Sequence, residues 1–157
     1  MITRILHVNI VVSDVERSIK FYRDVLGAKV IKGVRVDIEG DERLGEVLGF
    51  GGEASYSVYM LRFGEDKNAT WIDLLQWRQP PSTGKPPDQL NNVGLARIAL
   101  VVEDVDQAYN DLKASGVEFI SAPAYVDVGP LGAVRVCVFK DPDGTFLELA
   151  EPVPKQR

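Results

Sequence analysis

Histidine occurs once in this sequence of 157 residues, at His7 in the stretch RILHVNIVVSDV. An imidazole titrates near neutral pH and binds metals through a ring nitrogen, so His7 is a candidate proton carrier or metal ligand. A lone strand histidine is more often a hydrogen-bonded structural residue, unless other polar groups meet it. The same apolar pattern returns in LARIALVVEDV, where Arg97 stands in the place of His7, 90 positions later.

Two short segments carry acids in matching positions. Asp73 lies in TWIDL and Glu148 lies in TFLEL, 75 positions apart. A carboxylate can act as a general base, as a metal ligand or as the counter-ion of an arginine. The two segments therefore add two candidate functional acids to His7 and Arg97.

Strand alternation predicts the direction of these side chains. Successive residues of a strand face opposite sides of the sheet, so the aliphatic set should pack under a helix while the polar residues share the other face. We therefore expect one apolar cleft with four converging polar residues, a pattern typical of a small-molecule site. These four residues are His7, Asp73, Arg97 and Glu148.

The elements that must position them form an internal repeat. Each copy begins as a strand, followed by a helix that Asp14 or Asp104 can cap and that Gly27 or Gly116 can end. Alternating segments after each helix predict three further strands per copy. The acids are 75 positions apart and the first strands 90, so the first copy contains an insertion, which we place at residues 39–55. This insertion is either a short helix with a glycine-rich hinge that closes over a site or a solvated loop.

This pattern predicts an α+β fold of two βαβββ modules. The modules span residues 4–77 and 94–151, and the proline-rich segment 78–93 connects them within a single domain, 1–157.

Composition limits the partners. The net charge is -5 and no basic cluster occurs, which argues against nucleic acid. No run approaches the length of a membrane span, and the N-terminus lacks the order of a signal peptide, so we expect a cytoplasmic protein. We interpret the single Cys137 as a small apolar residue that packs within a strand. A small molecule or another protein remains as the partner.

The segments HVNIVVSDVERSIKFYRDVLG and FKDPDGTFLELAE resemble those of the vicinal oxygen chelate superfamily of glyoxalases, bleomycin-resistance proteins and extradiol dioxygenases. The resemblance covers residues 4–151. It implies a U-shaped half-barrel sheet with the helices outside, a divalent metal inside it and a homodimer.

Carried onto this chain, the resemblance implies metal ligands at His7, Asp73 and Glu148, with Arg97 in the fourth position. Imidazole and two carboxylates suit Zn, Mn, Fe or Ni. Arg97 departs from the family pattern because a guanidinium has no lone pair and repels a dication. Asp73 departs as well, since the family more often has Glu or Gln there.

Two arrangements therefore remain open at this position. Either Arg97 replaces the charge of the metal and binds an anionic or oxygen-rich ligand, which we favour, or three ligands hold a metal with Arg97 turned toward substrate. Trp71, Phe146 and Tyr59 are predicted by alternation to form flat walls of the cleft, although ordinary core packing also accounts for them.

Two functions follow from these arrangements. The first is an enzyme, a lyase, isomerase or dioxygenase acting on a substrate with adjacent oxygens, with Glu148 and His7 as catalytic residues. The second is a metal-free protein that sequesters a toxic or antibiotic-like compound, with Arg97 as the anchor of an anionic group.

Overall fold

A computed structural model describes residues 1–154 of the chain. The chain divides into two compact units, the first ending at Gly84 and the second beginning at Lys85. This boundary lies inside the proline-rich segment 78–93.

The first unit is built around a five-stranded mixed sheet. β1 pairs in parallel with β5, β5 pairs with β4, and the short strands β2 and β3 pair with successive parts of β4. The elements are β1 (His7–Val11), α1 (Val15–Ile19), β2 (Lys29–Val30), β3 (Val36–Asp41), α2 (Glu42–Val47), β4 (Ala54–Arg62) and β5 (Trp71–Gln79).

The second unit repeats this plan with a four-stranded sheet in the order β6-β9-β8-β7. β6 and β9 are parallel, and the remaining pairs are antiparallel. The elements are β6 (Ile98–Val101), α3 (Val105–Ala114), β7 (Ala124–Asp127), β8 (Ala133–Lys140) and β9 (Phe146–Val153). The predicted α+β class is confirmed, and the second unit has the predicted βαβββ order, while the first unit has one strand and one helix more than this order.

The two parallel pairs have the same register. Val8 lies opposite Ile72 in the first unit, and Ile98 lies opposite Leu147 in the second. These positions differ by 90 and by 75, as the sequence repeat predicts. The two candidate acids therefore occupy equivalent places in the two sheets.

Aspartates begin both repeated helices. Asp14 accepts hydrogen bonds from the backbone N–H groups of Glu16 and Arg17, each at 3.0 Å, and Asp104 accepts from that of Gln107 at 2.9 Å. Such bonds satisfy amides that have no partner within the helix. α1 continues into a π-helical stretch, Lys20–Val25, before Gly27 ends it with a φ of 77°.

A side chain of the closing strand anchors the start of each helix. Gln76 Oε1 accepts from Val15 N at 3.0 Å in the first unit, and Glu151 Oε2 accepts from Val105 N at the same distance in the second. Gln76 therefore faces α1. Because side chains alternate along a strand, Asp73, Leu75 and Trp77 lie on the sheet face away from α1.

Burial agrees with this division of the faces. On the helix face of the first sheet, Ile10 and Leu74 are 5% and 0% exposed, whereas Val11 on the other face of β1 is 46% exposed. The helix face of the second sheet contains Leu147, which is fully buried, while Val101 on the opposite face is 76% exposed. The apolar core of each unit thus lies between sheet and helix.

The insertion folds as a helix with a tight turn and not as an irregular solvated loop. Asp41 Oδ1 caps α2 by accepting from Leu44 N at 2.8 Å. Gly45 is buried against the following turn, and a Cβ atom there would lie 1.6 Å from the carbonyl oxygen of Gly52. Only glycine fits this contact, so the turn is packed against the helix.

Over residues 1–154, no helix is both long enough and apolar enough to cross a membrane.

Candidate functional site

The first polar pair lies on the open face of the first sheet, away from α1. His7 begins β1 and lies opposite Trp71, and Asp73 follows two residues later on β5. His7 Nδ1 is 3.7 Å from Asp73 Oδ2. This distance is too long for a hydrogen bond, so the imidazole is near the carboxylate without being fixed to it.

Asp73 is a buried acid with unmet hydrogen-bonding capacity. The residue is 9% exposed, and its Oδ1 atom and the indole Nε1 of Trp71 are both buried without a hydrogen bond of normal geometry. Burial raises the pKa of the Asp73 carboxyl, and His7 and the Trp71 indole partly offset the rise. Because unmet buried polar atoms cost free energy, a ligand that supplies a donor to Oδ1 is favoured here.

The second polar pair lies at the equivalent place in the second unit. Arg97 directly precedes β6, and its Nε donates to Glu148 Oε2 at 2.6 Å. Glu148 is 8% exposed, while the Arg97 side chain is 44% exposed. This is a short, charge-assisted hydrogen bond that neutralises an otherwise costly buried charge.

Each partner of this pair has capacity left for a ligand. Among residues 1–154, the two terminal nitrogens of Arg97 and the Oε1 atom of Glu148 make no hydrogen bond. The guanidinium can therefore bind an anionic oxygen while the carboxylate keeps one oxygen available as a proton acceptor.

Aromatic rings flank both pairs. The ring centroids of His7 and Trp71 are 5.9 Å apart. Phe146 is 4% exposed, and Lys140 Nζ lies 4.5 Å from its ring centroid. Lys140 pairs with Phe146 across the turn before β9, so its ammonium group lies over this ring.

Tyr59 differs from the orientation that strand alternation suggested. It pairs with Leu74 on the helix face of the first sheet, and its hydroxyl donates to Glu16 Oε1 of α1 at 3.2 Å. β4 has apolar residues on both faces, so its alternation defines two faces without identifying which one meets the helix. Tyr59 therefore does not share a face with Asp73 or Trp71.

The side chains of the two polar pairs differ in how well they suit a divalent cation. His7 and Asp73 present a nitrogen and carboxylate oxygens near each other, which suits a metal, and Oδ1 of Asp73 is an unpartnered acceptor. Arg97 offers no lone pair, and its contact uses one oxygen of Glu148. Within each unit, no three His, Cys, Asp or Glu side chains of residues 1–154 cluster closely enough to hold an ion.

Three further residues belong to these surroundings and were not predicted as site residues. Phe50 of the insertion and Tyr56 of β4 both pack on Trp77, and Lys140 lies over Phe146. The turn signal DPDG could have placed Lys140 opposite Phe146. No signal could have placed Phe50, because the insertion has no counterpart in the second copy.

Comparisons with known proteins agree with this architecture. The protein is similar to a 2-epi-5-epi-valiolone epimerase of Actinomyces, with 29% identity over 144 residues that cover 91% of this chain and 76% of the relative. It is 30% identical over 155 residues to a probable chloroplastic lactoylglutathione lyase of Arabidopsis thaliana, and the match covers 96% of this chain but 36% of that relative. The chain thus spans little more than a third of the plant protein.

A solved structure shares the fold over its whole length. A glyoxalase family protein from Bacillus cereus superposes with a TM-score of 0.79 at 24% identity, covering 98% of this chain and 97% of the other. The family model described as Glyoxalase/Bleomycin resistance protein/Dioxygenase superfamily matches residues 4–149. The repeated modules, their common register and this match show that the chain belongs to the glyoxalase, bleomycin resistance protein and dioxygenase superfamily.

Proposed function

We propose that this protein is an enzyme of the lyase or isomerase class that moves a proton at a carbon atom next to two adjacent oxygens of a small substrate. The buried Glu148 carboxylate carries the proposal, because Arg97 occupies one of its oxygens and leaves the other free. A carboxylate held in this way is oriented for general base catalysis.

The proposed step balances without an oxidant. Glu148 Oε1 takes the proton from the carbon next to a carbonyl, the electron pair of the C–H bond forms a C=C bond, and the carbonyl oxygen becomes an enolate oxygen. The protonated carboxyl then gives the proton to the neighbouring carbon while the hydroxyl proton of the first carbon moves to the enolate oxygen, or it returns the proton to the opposite face of the first carbon after the planar enediolate has turned over. Isomerisation results in the first case and epimerisation in the second.

Arg97 stabilises the negative charge that develops on the substrate oxygen. Its two terminal nitrogens are the donors, and a guanidinium keeps its charge at any physiological pH. Donors aimed at a developing oxyanion are among the largest contributors to catalysis. Arg97 thereby supplies charge at the position where the superfamily resemblance implies a metal ligand.

His7 and Asp73 bind the second substrate oxygen in this proposal. This oxygen is a hydroxyl group, which can donate to Asp73 Oδ1 and accept from the His7 ring. The proposal requires both polar pairs to act on the same substrate, within one chain or across a dimer.

The relatives support the reaction class. One is named an epimerase and another a probable lactoylglutathione lyase. Both names denote chemistry on small oxygenated molecules, which agrees with a proton transfer between carbons.

Hydrogen–deuterium exchange tests the proposal directly. The protein is incubated in D2O with hydroxyacetone, and separately with the hemithioacetal of methylglyoxal and glutathione, and proton NMR follows the carbon-bound hydrogens. We expect Glu148→Gln to slow exchange at least about 100-fold, because the amide can accept from Arg97 but cannot take a proton. Glu118→Gln, an exposed acid of the same unit, is the matched control. Wild-type rates in Glu148→Gln would contradict the assignment of the base.

The second candidate function is metal-free binding without chemistry. The Arg97–Glu148 contact favours it, since an arginine neutralises the buried acid and presents two donors to an anionic group. A ligand at 100 times its dissociation constant stabilises a protein by about 2.7 kcal/mol, so thermal-shift screening of anionic metabolites and antibiotics finds candidates. Recovery of every hit unchanged, together with no exchange in D2O, would favour this function over the enzyme.

We also propose that the protein forms a homodimer. The apolar segment 128–134, VGPLGAV, supports this proposal, because Leu131 and Val128 are 89% and 43% exposed. Light scattering coupled to size exclusion measures the mass. A dimer that dissociates in Leu131→Asp would support this segment as part of the interface, and a wild-type monomer would refute the proposal.

A further inference from the structure

An aromatic cluster lies at the far end of β5 from His7. The Phe50 and Trp77 rings meet edge to face with centroids 5.1 Å apart, and the Tyr56 ring is 4.8 Å from Trp77. Such contacts stabilise ring pairs beyond the area they bury. Phe50 is nevertheless 45% exposed, so the cluster presents an accessible ring surface.

The cluster shares a sheet face with the first polar pair. Trp77 follows Asp73 by four positions on β5, and residues at even spacing in a strand lie on one face. Tyr56 pairs with Trp77, and Met60 pairs with Asp73, so β4 continues the same face. At about 3.3 Å per residue, the two ends are separated by roughly 13 Å along the strand.

The insertion holds Phe50 in this position. Phe50 N donates to Gly45 O at 2.8 Å, and Gly45 itself is packed against the Gly52 carbonyl. Asp41 caps the start of α2. These contacts fix the turn that carries Phe50, so its ring is presented by an ordered segment. We call residues 42–53 the insertion arm.

Asp73 and the cluster also interact electrostatically. Burial raises the pKa of the Tyr56 phenol, and the charges of Asp73 and Asp41 add to the rise. Tyr56 therefore stays a neutral donor at physiological pH beside the acid. The polar pair and the aromatic cluster thus lie at two ends of the same face of the first sheet.

We infer that Phe50, Trp77 and Tyr56 form a subsite for a planar apolar group of the substrate, and that the insertion arm sets this specificity. The inference rests on the proposed function, in which His7 and Asp73 bind the substrate oxygens. An aromatic surface beside a few polar groups is the usual composition of a small-molecule site. A substrate with adjacent oxygens and a ring about 10 to 13 Å away from them reaches from the polar pair to the cluster.

A series of hydroxyketones tests the inference. Hydroxyacetone, 1-hydroxy-6-phenylhexan-2-one and 1-hydroxy-8-phenyloctan-2-one carry the same two oxygens and differ in the presence and reach of a ring. Ligand-observed NMR measures each dissociation constant. We expect at least one ring-bearing compound to bind the wild type about tenfold or more tightly than hydroxyacetone, because its ring leaves water.

Phe50→Ala should reduce this preference to less than about threefold by weakening the ring-bearing compounds more than hydroxyacetone. Val47→Ala is the matched control, since Val47 lies on the same arm, is 76% exposed and is outside the aromatic cluster. An equal preference in wild type and Phe50→Ala, or no ring preference in the wild type, would overturn the subsite.

Gly45→Ala is the second variant, because its Cβ atom must displace the Gly52 carbonyl and move the arm while Phe50 remains. We expect the ring preference to be lost here as well, with circular dichroism confirming that the chain folds. A folded Gly45→Ala protein with full ring preference would show that the arm does not set specificity. If this variant fails to fold, Phe50→Ala alone decides.

Different results would refute the proposed function and the aromatic subsite. His7→Ala should weaken all three compounds alike if the polar pair binds their oxygens. Weakening by His7→Ala without any effect of Phe50→Ala would remove the subsite and keep the proposed function. A ring preference that is lost in Phe50→Ala, with no weakening of any of the three compounds by His7→Ala, would keep the subsite and remove the proposed function.

Discussion

Asp73 and Glu148 occupy the same register position in the two sheets, yet only Glu148 accepts a hydrogen bond from a cationic side chain. Arg97 Nε lies 2.6 Å from Glu148 Oε2, whereas His7 Nδ1 lies 3.7 Å from Asp73 Oδ2. One acid is neutralised by a permanent charge, and the other is buried with an acceptor atom unmet. This asymmetry divides the roles of the two halves and leads to four predictions.

The Arg97 contact should be needed for both stability and ligand binding. Arg97→Met leaves Glu148 buried without its partner, and we expect a loss of about 1 kcal/mol in unfolding free energy, small because the Arg97 side chain is partly exposed. Binding of anionic ligands should weaken by at least about tenfold. Urea unfolding and calorimetric titration measure the two effects. Arg97→Lys, which keeps the charge without the planar fork, should recover part of the binding.

The Asp73 carboxyl should make stability depend on pH. Its folded-state pKa is raised by burial, so its stabilising effect is complete below the ordinary aspartate pKa and is lost as pH rises through the raised value. The stability of wild type relative to Asp73→Asn should therefore decrease with rising pH across this window. Urea unfolding of both proteins between about pH 4 and pH 8 measures this change in the stability difference.

Replacing an exposed acid with its amide, as in Asp88→Asn, controls for the general effect of removing one negative charge. A constant difference between wild type and Asp73→Asn at every pH would contradict the prediction.

Cys137 should be chemically inert in the folded protein. The residue is 1% exposed, and burial raises the pKa of its thiol to about 11. At pH 8 only about one thiol in a thousand is then the reactive thiolate. We expect a disulfide reagent such as DTNB to label the native protein far more slowly than the urea-unfolded protein. Rapid native labelling would place the thiol in a different environment.

The two polar pairs should be coupled if they act on one substrate. In a double-mutant cycle of His7→Ala and Glu148→Gln, groups that act as a unit give effects on kcat/KM that are far from additive. We expect a coupling energy greater than about 0.5 kcal/mol. Additive effects on the same substrate would mean that the two halves work independently. Glu118→Gln combined with His7→Ala provides the additive reference.

The local elements of this fold could be derived from the sequence because they depend on short-range chemistry. Asp14 and Asp104 accept from first-turn amides wherever such a helix begins, and glycines tolerate the positive φ that ends it. The offsets of the repeat also predicted that equivalent strands of the two modules have the same register, since one face of each strand must be apolar to meet its helix.

The face of β4 could not be derived in the same way. Tyr59 and Met60 are both apolar enough for either side of the sheet, and only the pairing of Tyr59 with Leu74 places its ring toward α1. Phe50 was beyond prediction for a different reason, since its position on Trp77 depends on how a segment without a repeat counterpart packs.

The sequence by itself determined the superfamily, the two βαβββ modules and the identity of the four polar candidates. Only the tertiary structure decided that Arg97 donates to Glu148, that Asp73 keeps an unmet oxygen and that Phe50 reaches Trp77. The physical reason is that caps and strand alternation arise from neighbours in the chain, whereas these contacts join residues distant in sequence. Their distances follow from side-chain packing, which periodicity does not encode.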